Sequence, residues 1–317
     1  MTKMSLFDNL PKPFFALAPM EAVTDVVFRQ VVVKAGRPDL FFTEFTNIDS
    51  YCSEAGRVNA LERFEFLPEE QPIIAQIWGT KPDNFRQTAL GLKTLGYQAI
   101  DINMGCPDKT VVKIGGGAAL IRTPELANQI ILATKEAGLP VSVKTRLGYS
   151  RVDEWHDWLR SLLKQDLALL TVHLRTRKEM SKVGAHFELI PEIVALRDQI
   201  APQTKLMING DISSREQGLK LAQEFNLDGI MIGRGVFANP YCFTDRQASR
   251  QELTELLLYH LALFDKANRN NPRRYEPLKA FFKIYINGFA GASAIRHELM
   301  QTESTDEARK IIKGHYA

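Results

Sequence analysis

Eight short runs of apolar and β-branched residues, separated by stretches of helical pattern, constrain this chain more than any other feature. They are Phe14–Met20, Leu40–Phe45, Ile73–Gly79, Ala99–Asn103, Val141–Arg146, Ala168–His173, Lys205–Gly210 and Gly229–Arg234. Nearly continuous apolar runs suit strands covered on both faces of a parallel sheet. The intervals carry helix signals. Pro82 precedes a helical pattern over 83–95, and Thr123-Pro124 reads as an N-cap and first helical residue. Residues 152–164 have apolar helical spacing, and Ser213-Ser214-Arg215-Glu216 is a capping-type start. Eight alternations in about 240 residues predict an α/β chain folded as a (β/α)8 TIM barrel rather than an open doubly wound sheet.

Beyond Pro240 the pattern is helical only, over 253–264, 277–287, 292–300 and 304–313, with a polar break at Asn268–Arg274. This predicts a small C-terminal helical domain, dividing the chain into a barrel over 1–243 and a helical unit over 244–317. The net charge is +3, and the segment from Ser249 onward holds 11 Lys and Arg against 8 Asp and Glu, so the whole excess lies there. A polyanion-facing surface fits that bias, and so does an ordinary solvated helix face. No apolar run approaches the roughly 20 residues that span a bilayer, and the opening Met1–Asp8 has no apolar leader core. Cys52, Cys106 and Cys242 are too widely spaced for a disulfide framework or a CxxC metal pattern. A cytoplasmic protein with no metal, no membrane association and no implied protein partner is expected.

In barrels of this kind function sits at the C-terminal strand ends. Those ends carry Pro19 and Met20, Glu44, Gln76, Asn103 with Cys106, Lys144 with Arg146, His173, Asn209-Gly210-Asp211 and Gly233-Arg234-Gly235. Polar groups left unpaired there would cost roughly 1–3 kcal/mol each, so they must meet one another or a ligand. The last two tips lie where such barrels bind phosphate. Together the set predicts flavin mononucleotide (FMN). Its phosphate would sit at Asn209, Gly210, Asp211, Gly233 and Arg234, and its ring on Pro19-Met20. Gln76 and Asn103 would serve the pyrimidine edge, and Lys144 the N1/O2 region, where negative charge grows on reduction. Plainer readings stand beside these: a Gln76 amide satisfied by backbone, Lys144 paired with Glu44 or Asp101, and His173 as a core histidine. Asn103-Met104-Gly105-Cys106-Pro107 places one thiol on a tight turn. Gly115-Gly116-Gly117-Ala118-Ala119-Leu120 then lets the backbone pass close to something flat or bulky.

These stretches resemble the tRNA-dihydrouridine synthases. The match runs from Leu17-Ala18-Pro19-Met20-Glu21, Thr43-Glu44-Phe45 and Ala75-Gln76-Ile77 through Asp101-Ile102-Asn103-Met104-Gly105-Cys106-Pro107 to Val143-Lys144-Thr145-Arg146-Leu147-Gly148. It continues with Val172-His173, Arg175-Thr176, Ile208-Asn209-Gly210-Asp211-Ile212, Met231-Ile232-Gly233-Arg234-Gly235 and, in the tail, Tyr285-Ile286-Asn287-Gly288-Phe289-Ala290-Gly291-Ala292 with Arg296. Two positions depart from the pattern: Leu174 where a glycine follows the histidine, and His186-Phe187 where an acidic–aromatic pair is usual. The resemblance implies reduction of the C5=C6 bond of a D-loop uridine, with FMN as hydride carrier and NADPH as reductant. It assigns the proton for C5 to Cys106 and the uracil carbonyls to Asn103, Lys144, Arg146 and His173, counts His173 also among the flavin-binding residues, and places Arg175 on the substrate side. It also implies binding of the tRNA elbow by Arg269, Arg273, Arg274, Lys279, Lys283 and Arg296. The competing reading is an FMN barrel acting on a small molecule, of the dihydroorotate-dehydrogenase or ene-reductase type.

Overall fold

The computed structural model describes residues 6–316 except 245 and 272; residues 1–5, the start of the opening segment read above, lie outside it. The strands are β1 (Phe14–Leu17), β2 (Phe41–Phe42), β3 (Thr46–Asn47), β4 (Ile73–Trp78), β5 (Ile100–Met104), β6 (Val141–Arg146), β7 (Leu169–His173), β8 (Lys205–Asn209) and β9 (Gly229–Ile232). Neighbours pair in parallel in the order β1-β9-β8-β7-β6-β5-β4-β2, with β3 also on β4. The ring closes where Ala16 bridges Leu40, whose N–H donates to Phe15 O at 3.1 Å. β2 and β3 are thus two pieces of one barrel position. The run expected over 40–45 is interrupted because the Gln76 N–H donates to the Thr43 hydroxyl, at 3.0 Å, in place of a strand carbonyl.

Strand alternation sorts the barrel interior into layers. Its floor is apolar, with Phe14, Ala16, Leu40, Phe42, Ile74, Ala99, Leu169, Met207 and Met231 in one cluster. Phe7, from the turn Leu6–Asn9, joins that cluster from below. A Cβ on Gly229 would lie 2.5 Å from the Phe14 ring, so glycine there makes room for the ring. Above the floor the same faces turn polar. Gln76 and Asp101 are register partners, as are Asn103 and Lys144, Arg146 and His173, and His173 and Asn209.

Helices cover the outside at Val26–Gly36, Pro82–Thr94, Pro124–Lys135, Trp155–Leu163, Ile190–Ile200 and Arg215–Phe225. Ser214 caps as expected, accepting from Gln217 N at 3.2 Å, whereas the Thr123 side chain makes no cap bond. The helical pattern over 152–164 begins as a 3-10 turn, Val152–Glu154. In the tail, Arg250–Asn270 runs into the expected polar break, and the helix expected over 277–287 is a 3-10 segment, Glu276–Phe281, continued by Phe282–Tyr285. Helices Ala292–Met300 and Thr305–Tyr316 follow. The tail packs on the first barrel helix, where the Phe28 ring lies 4.9 Å from Phe281 and 5.9 Å from His260. Among the described residues no helix is long and apolar enough to cross a membrane.

The first helix is also tied to the loop before β4 through a buried ion pair. Arg29 is 1% exposed, with Nε and Nη2 at 3.1 and 3.0 Å from Glu70 Oε2, Nη1 donating to Thr24 O and Nη2 also to Glu65 O. Gln30 Nε2 takes the second Glu70 oxygen at 2.8 Å. Arg29→Met leaves that carboxylate buried without its cation and is expected to cost about 3–5 kcal/mol. Urea unfolding measures it, and a loss near zero would show the pair to be dispensable.

Candidate active site

The turn after β5 is built from Asn103. Its Oδ1 accepts from Gly105 N at 3.0 Å and Cys106 N at 2.9 Å, closing the turn that presents the thiol. Asn103 Nδ2 donates to Gln76 Oε1 at 3.0 Å, Gln76 Nε2 donates to Asp101 Oδ2 at 2.6 Å, and Ser142 Oγ donates to Asp101 Oδ1 at 2.5 Å. Gln76 is therefore wholly buried and engaged by side chains, and it does not line the cavity above. Gln76 reaches its register partner Asp101 and, through Oε1, Asn103, which itself lines the cavity. Burial pushes the Asp101 carboxyl up to about 6. The glycine run passes close to Cys106 and Trp78: a Cβ on Gly117, at φ +55°, would lie 2.8 Å from Cys106 O.

A cavity of about 570 Å³ opens above this layer. It brings together Pro19, Met20, Asn103, Cys106, Lys144, Arg146, His173, Arg175, Asn209, Gly210, Asp211, Gly233 and Arg234 from the sequence-based set. Phe45, Pro107, Ser181, Ile212, Ser213 and Ala238 also line it. Lys144, Arg146, Arg175 and Arg234 face a single lining carboxylate, Asp211. That donor set calls for an anion.

Each cation has a distinct situation. Arg146 donates from Nε to Gly105 O at 2.8 Å and from Nη1 to Thr176 O and Met180 O at 3.1 and 3.0 Å. It is a staple between the thiol turn and the loop after β7, and it also lines the cavity. Arg175 is 2% exposed and donates to Val183 O, His173 Nε2 and the Asp211 carboxylate, so it too is engaged. Asp211, in the left-handed region at φ +49°, also accepts from Arg234 at 3.0 Å and Ala185 N at 3.0 Å. Lys144 Nζ makes no hydrogen bond or ion pair among the described residues, including the pairings with Glu44 or Asp101 read from sequence. Burial and Arg146 lower it to about 8. Beside it on β7, the buried Thr171 hydroxyl has no partner. Burial and the surrounding cations hold His173 well below its ordinary value. It is therefore neutral, with Nε2 accepting from Arg175 and the proton on Nδ1.

The phosphate corner has the features a phosphate needs. Outside the strand ladders, the N–H groups of Asp211, Gly233 and Arg234 donate to no backbone carbonyl among the described residues, and the Asn209 side chain donates to Met231 O at 2.9 Å, locking β8 to β9. The apolar side of the cavity is Ala18, Pro19, Met20, Phe45 and Ala238. An unpaired lysine, an orphaned hydroxyl, backbone N–H groups beyond the ends of β8 and β9 and an apolar wall fit a flat phosphorylated ring system.

Of the tail residues, Arg274 and Lys283 are exposed. Lys279 is buried, with Nζ on Met300 O and Glu276, Arg273 pairs with Asp25 at 2.7 Å, and Arg296 donates to Ile286 O. Lys279 and Arg296 tie parts of the tail to one another through backbone carbonyls, and Arg273 ties the tail to the cap of the first barrel helix. Sequence reading missed Asp101 and Ser142, although a carboxylate inside the apolar run Ala99–Ile102 is itself a signal of a buried network.

Cys106 is half-buried, and burial raises its thiol above the ordinary range. The neutral form is the one favoured, so alkylation of Cys106 by iodoacetamide should climb through a higher pH than that of an exposed thiol. Mass-spectrometric rates across pH measure this, and an inflection below the ordinary value would refute it.

Comparison with known proteins agrees with this geometry. The family model described as dihydrouridine synthase matches residues 16–315. "Probable tRNA-dihydrouridine synthase 2" of Bacillus subtilis (strain 168) is 57% identical over 306 residues, covering 96% of this chain and 94% of that protein. "Probable tRNA-dihydrouridine synthase" of Staphylococcus epidermidis (strain ATCC 35984) is 54% identical over 312 residues, covering 98% and 96%. Among solved structures, histamine dehydrogenase from Rhizobium sp. 4-9 superposes with a TM-score of 0.55 at 11% identity, over 81% of this chain and 51% of that one. A 2-naphthoyl-CoA reductase gives 0.55 at 9%, over 75% and 50%. The two structures support the barrel alone. With the family model spanning nearly all of the barrel and tail, and relatives above half identity over almost the whole length, the chain belongs to the dihydrouridine synthase family.

Proposed function

We propose that this protein is a cytoplasmic flavoenzyme that reduces the C5=C6 bond of a D-loop uridine in tRNA to 5,6-dihydrouridine, using FMN and NADPH. The observation that carries the reading is a thiol kept protonated by burial, on a turn braced from below, at the rim of a cation-lined cavity. FMN, when bound, supplies the hydride that adds to C6 and is restored by NADPH. Gly210, Asp211, Gly233 and Arg234 would hold its phosphate, Pro19 and Met20 its ring, and Lys144 its N1/O2 edge. Cys106 gives the Sγ–H proton to C5, completing the addition across the double bond. An acid of this kind contributes roughly 10²–10⁴-fold in rate. The Nδ1–H of His173 is the neutral donor available to a carbonyl; Arg146 and Arg175 act by fixing the surrounding loops.

A uridine stacked within tRNA cannot reach this cavity and must be extruded. We assign residues 1–243 to catalysis and 244–317 to the tRNA elbow, with phosphate contacts at Arg274, Lys283 and the exposed Arg269.

Incubating the purified protein and NADPH with dihydrouridine-free tRNA, followed by nucleoside mass spectrometry, tests the reading. Dihydrouridine is expected with wild type, and about 10²–10⁴-fold less with Cys106→Ala. NADPH oxidation without dihydrouridine would favour the small-molecule alternative. Arg274→Glu with Lys283→Glu should weaken tRNA binding and reduce its logarithmic salt dependence by roughly one per lost contact. An unchanged slope would exclude these two residues.

A further inference from the structure

The loop after β7 carries a feature that the chemistry above does not use. Met180 sits in the left-handed region at φ +53°, where a long side chain is rare, and is 44% exposed, next in the chain to Ser181, which lines the cavity. The loop around it is not loose. Met180 O accepts from Arg146, the same guanidinium that holds Gly105 O beside the thiol. Arg175 holds Val183 O at 2.7 Å, and Lys178 N donates to Tyr149 O at 3.0 Å. Glu179 accepts from Thr176 N at 2.7 Å and faces His186 Nε2 at 3.0 Å, while His186 Nδ1 meets Glu188 at 2.7 Å. An apolar tip is therefore held in a disfavoured backbone geometry by a braced loop, between the exposed Lys178 and Lys182. Strain of this kind persists where function requires it.

We propose that Met180 is a positioning residue that inserts between bases of the tRNA and fills the stacking gap left by the extruded uridine, with Lys178 and Lys182 on the flanking phosphates. The inference rests on the tRNA reading. Extruding a base forfeits its stacking, and an apolar side chain placed in the gap restores part of that contact. The staple Arg146 couples the wedge to the turn carrying Cys106, so insertion and presentation of the proton donor share one rigid support.

Glycine adopts φ +53° without penalty, so Met180→Gly removes the wedge while favouring the loop's backbone. With tRNA bearing 2-aminopurine at the mapped target position, wild type should raise the emission as the base leaves the stack. Met180→Gly should give a clearly smaller rise and a kcat/KM for dihydrouridine formation lower by about tenfold or more. Flavin content, NADPH oxidation by dioxygen and melting temperature should be unchanged, or the melting temperature raised. Met180→Leu should restore both emission and turnover. Emission and turnover equal to wild type in Met180→Gly would overturn the wedge, and so would a lowered melting temperature accompanying the loss. Absence of dihydrouridine from wild type itself would instead remove the tRNA reading and the wedge with it.

Discussion

Asp101 is a carboxylate with no access to solvent, and the orientation of the groups above it follows from its need for donors. A carboxylate only accepts, so Gln76 must turn its Nε2 toward Asp101 and its Oε1 away. That leaves Gln76 able only to accept from Asn103, which must then turn its own Oδ1 toward the N–H groups of Gly105 and Cys106. Two side-chain amides that could each point either way are thereby set by one charge. A partly satisfied version of this network would be worse than an apolar layer. The polar layer thus belongs to the site because it sets the turn that presents the thiol.

A second constraint is that much of the cavity's positive charge is engaged by the protein. Arg146 and Arg175 bind carbonyls, an imidazole and a carboxylate, and in doing so join β5, β7 and the loop between Thr176 and Ala185. The planar guanidinium suits this, since several donors diverge in one plane. Among the groups left for a ligand are Lys144, the Nδ1–H of His173, backbone N–H groups beyond the ends of β8 and β9, and the protonated thiol.

The barrel is legible in the sequence because period and spacing are properties of single elements. Seven of the eight apolar runs contain one uninterrupted strand each, and the helix over 292–300 has the bounds read from its pattern. What is lost is pairwise. Nothing local says that the Thr43 hydroxyl will take a ladder bond, or that Gln76 will face Asp101 instead of the cavity, because both depend on register between distant strands. The same holds for Lys279 and Arg273: a basic residue on a helix looks solvated until the tertiary fold brings Met300 O or Asp25 to it. The strand tips could be listed from sequence, but which of them remain free could not.

Asp25 uses one oxygen to cap the first helix, at Phe28 N, and the other to hold Arg273 from the tail. Phe28, one turn on, is sealed by Phe281 and His260 from the same tail. The tail is thus the outer wall over the first barrel helix as much as an appendage. An exchange of C-terminal helices between relatives would have to carry the facing surface of that first helix along with it, so the two ends of this chain are bound to change together over evolutionary time.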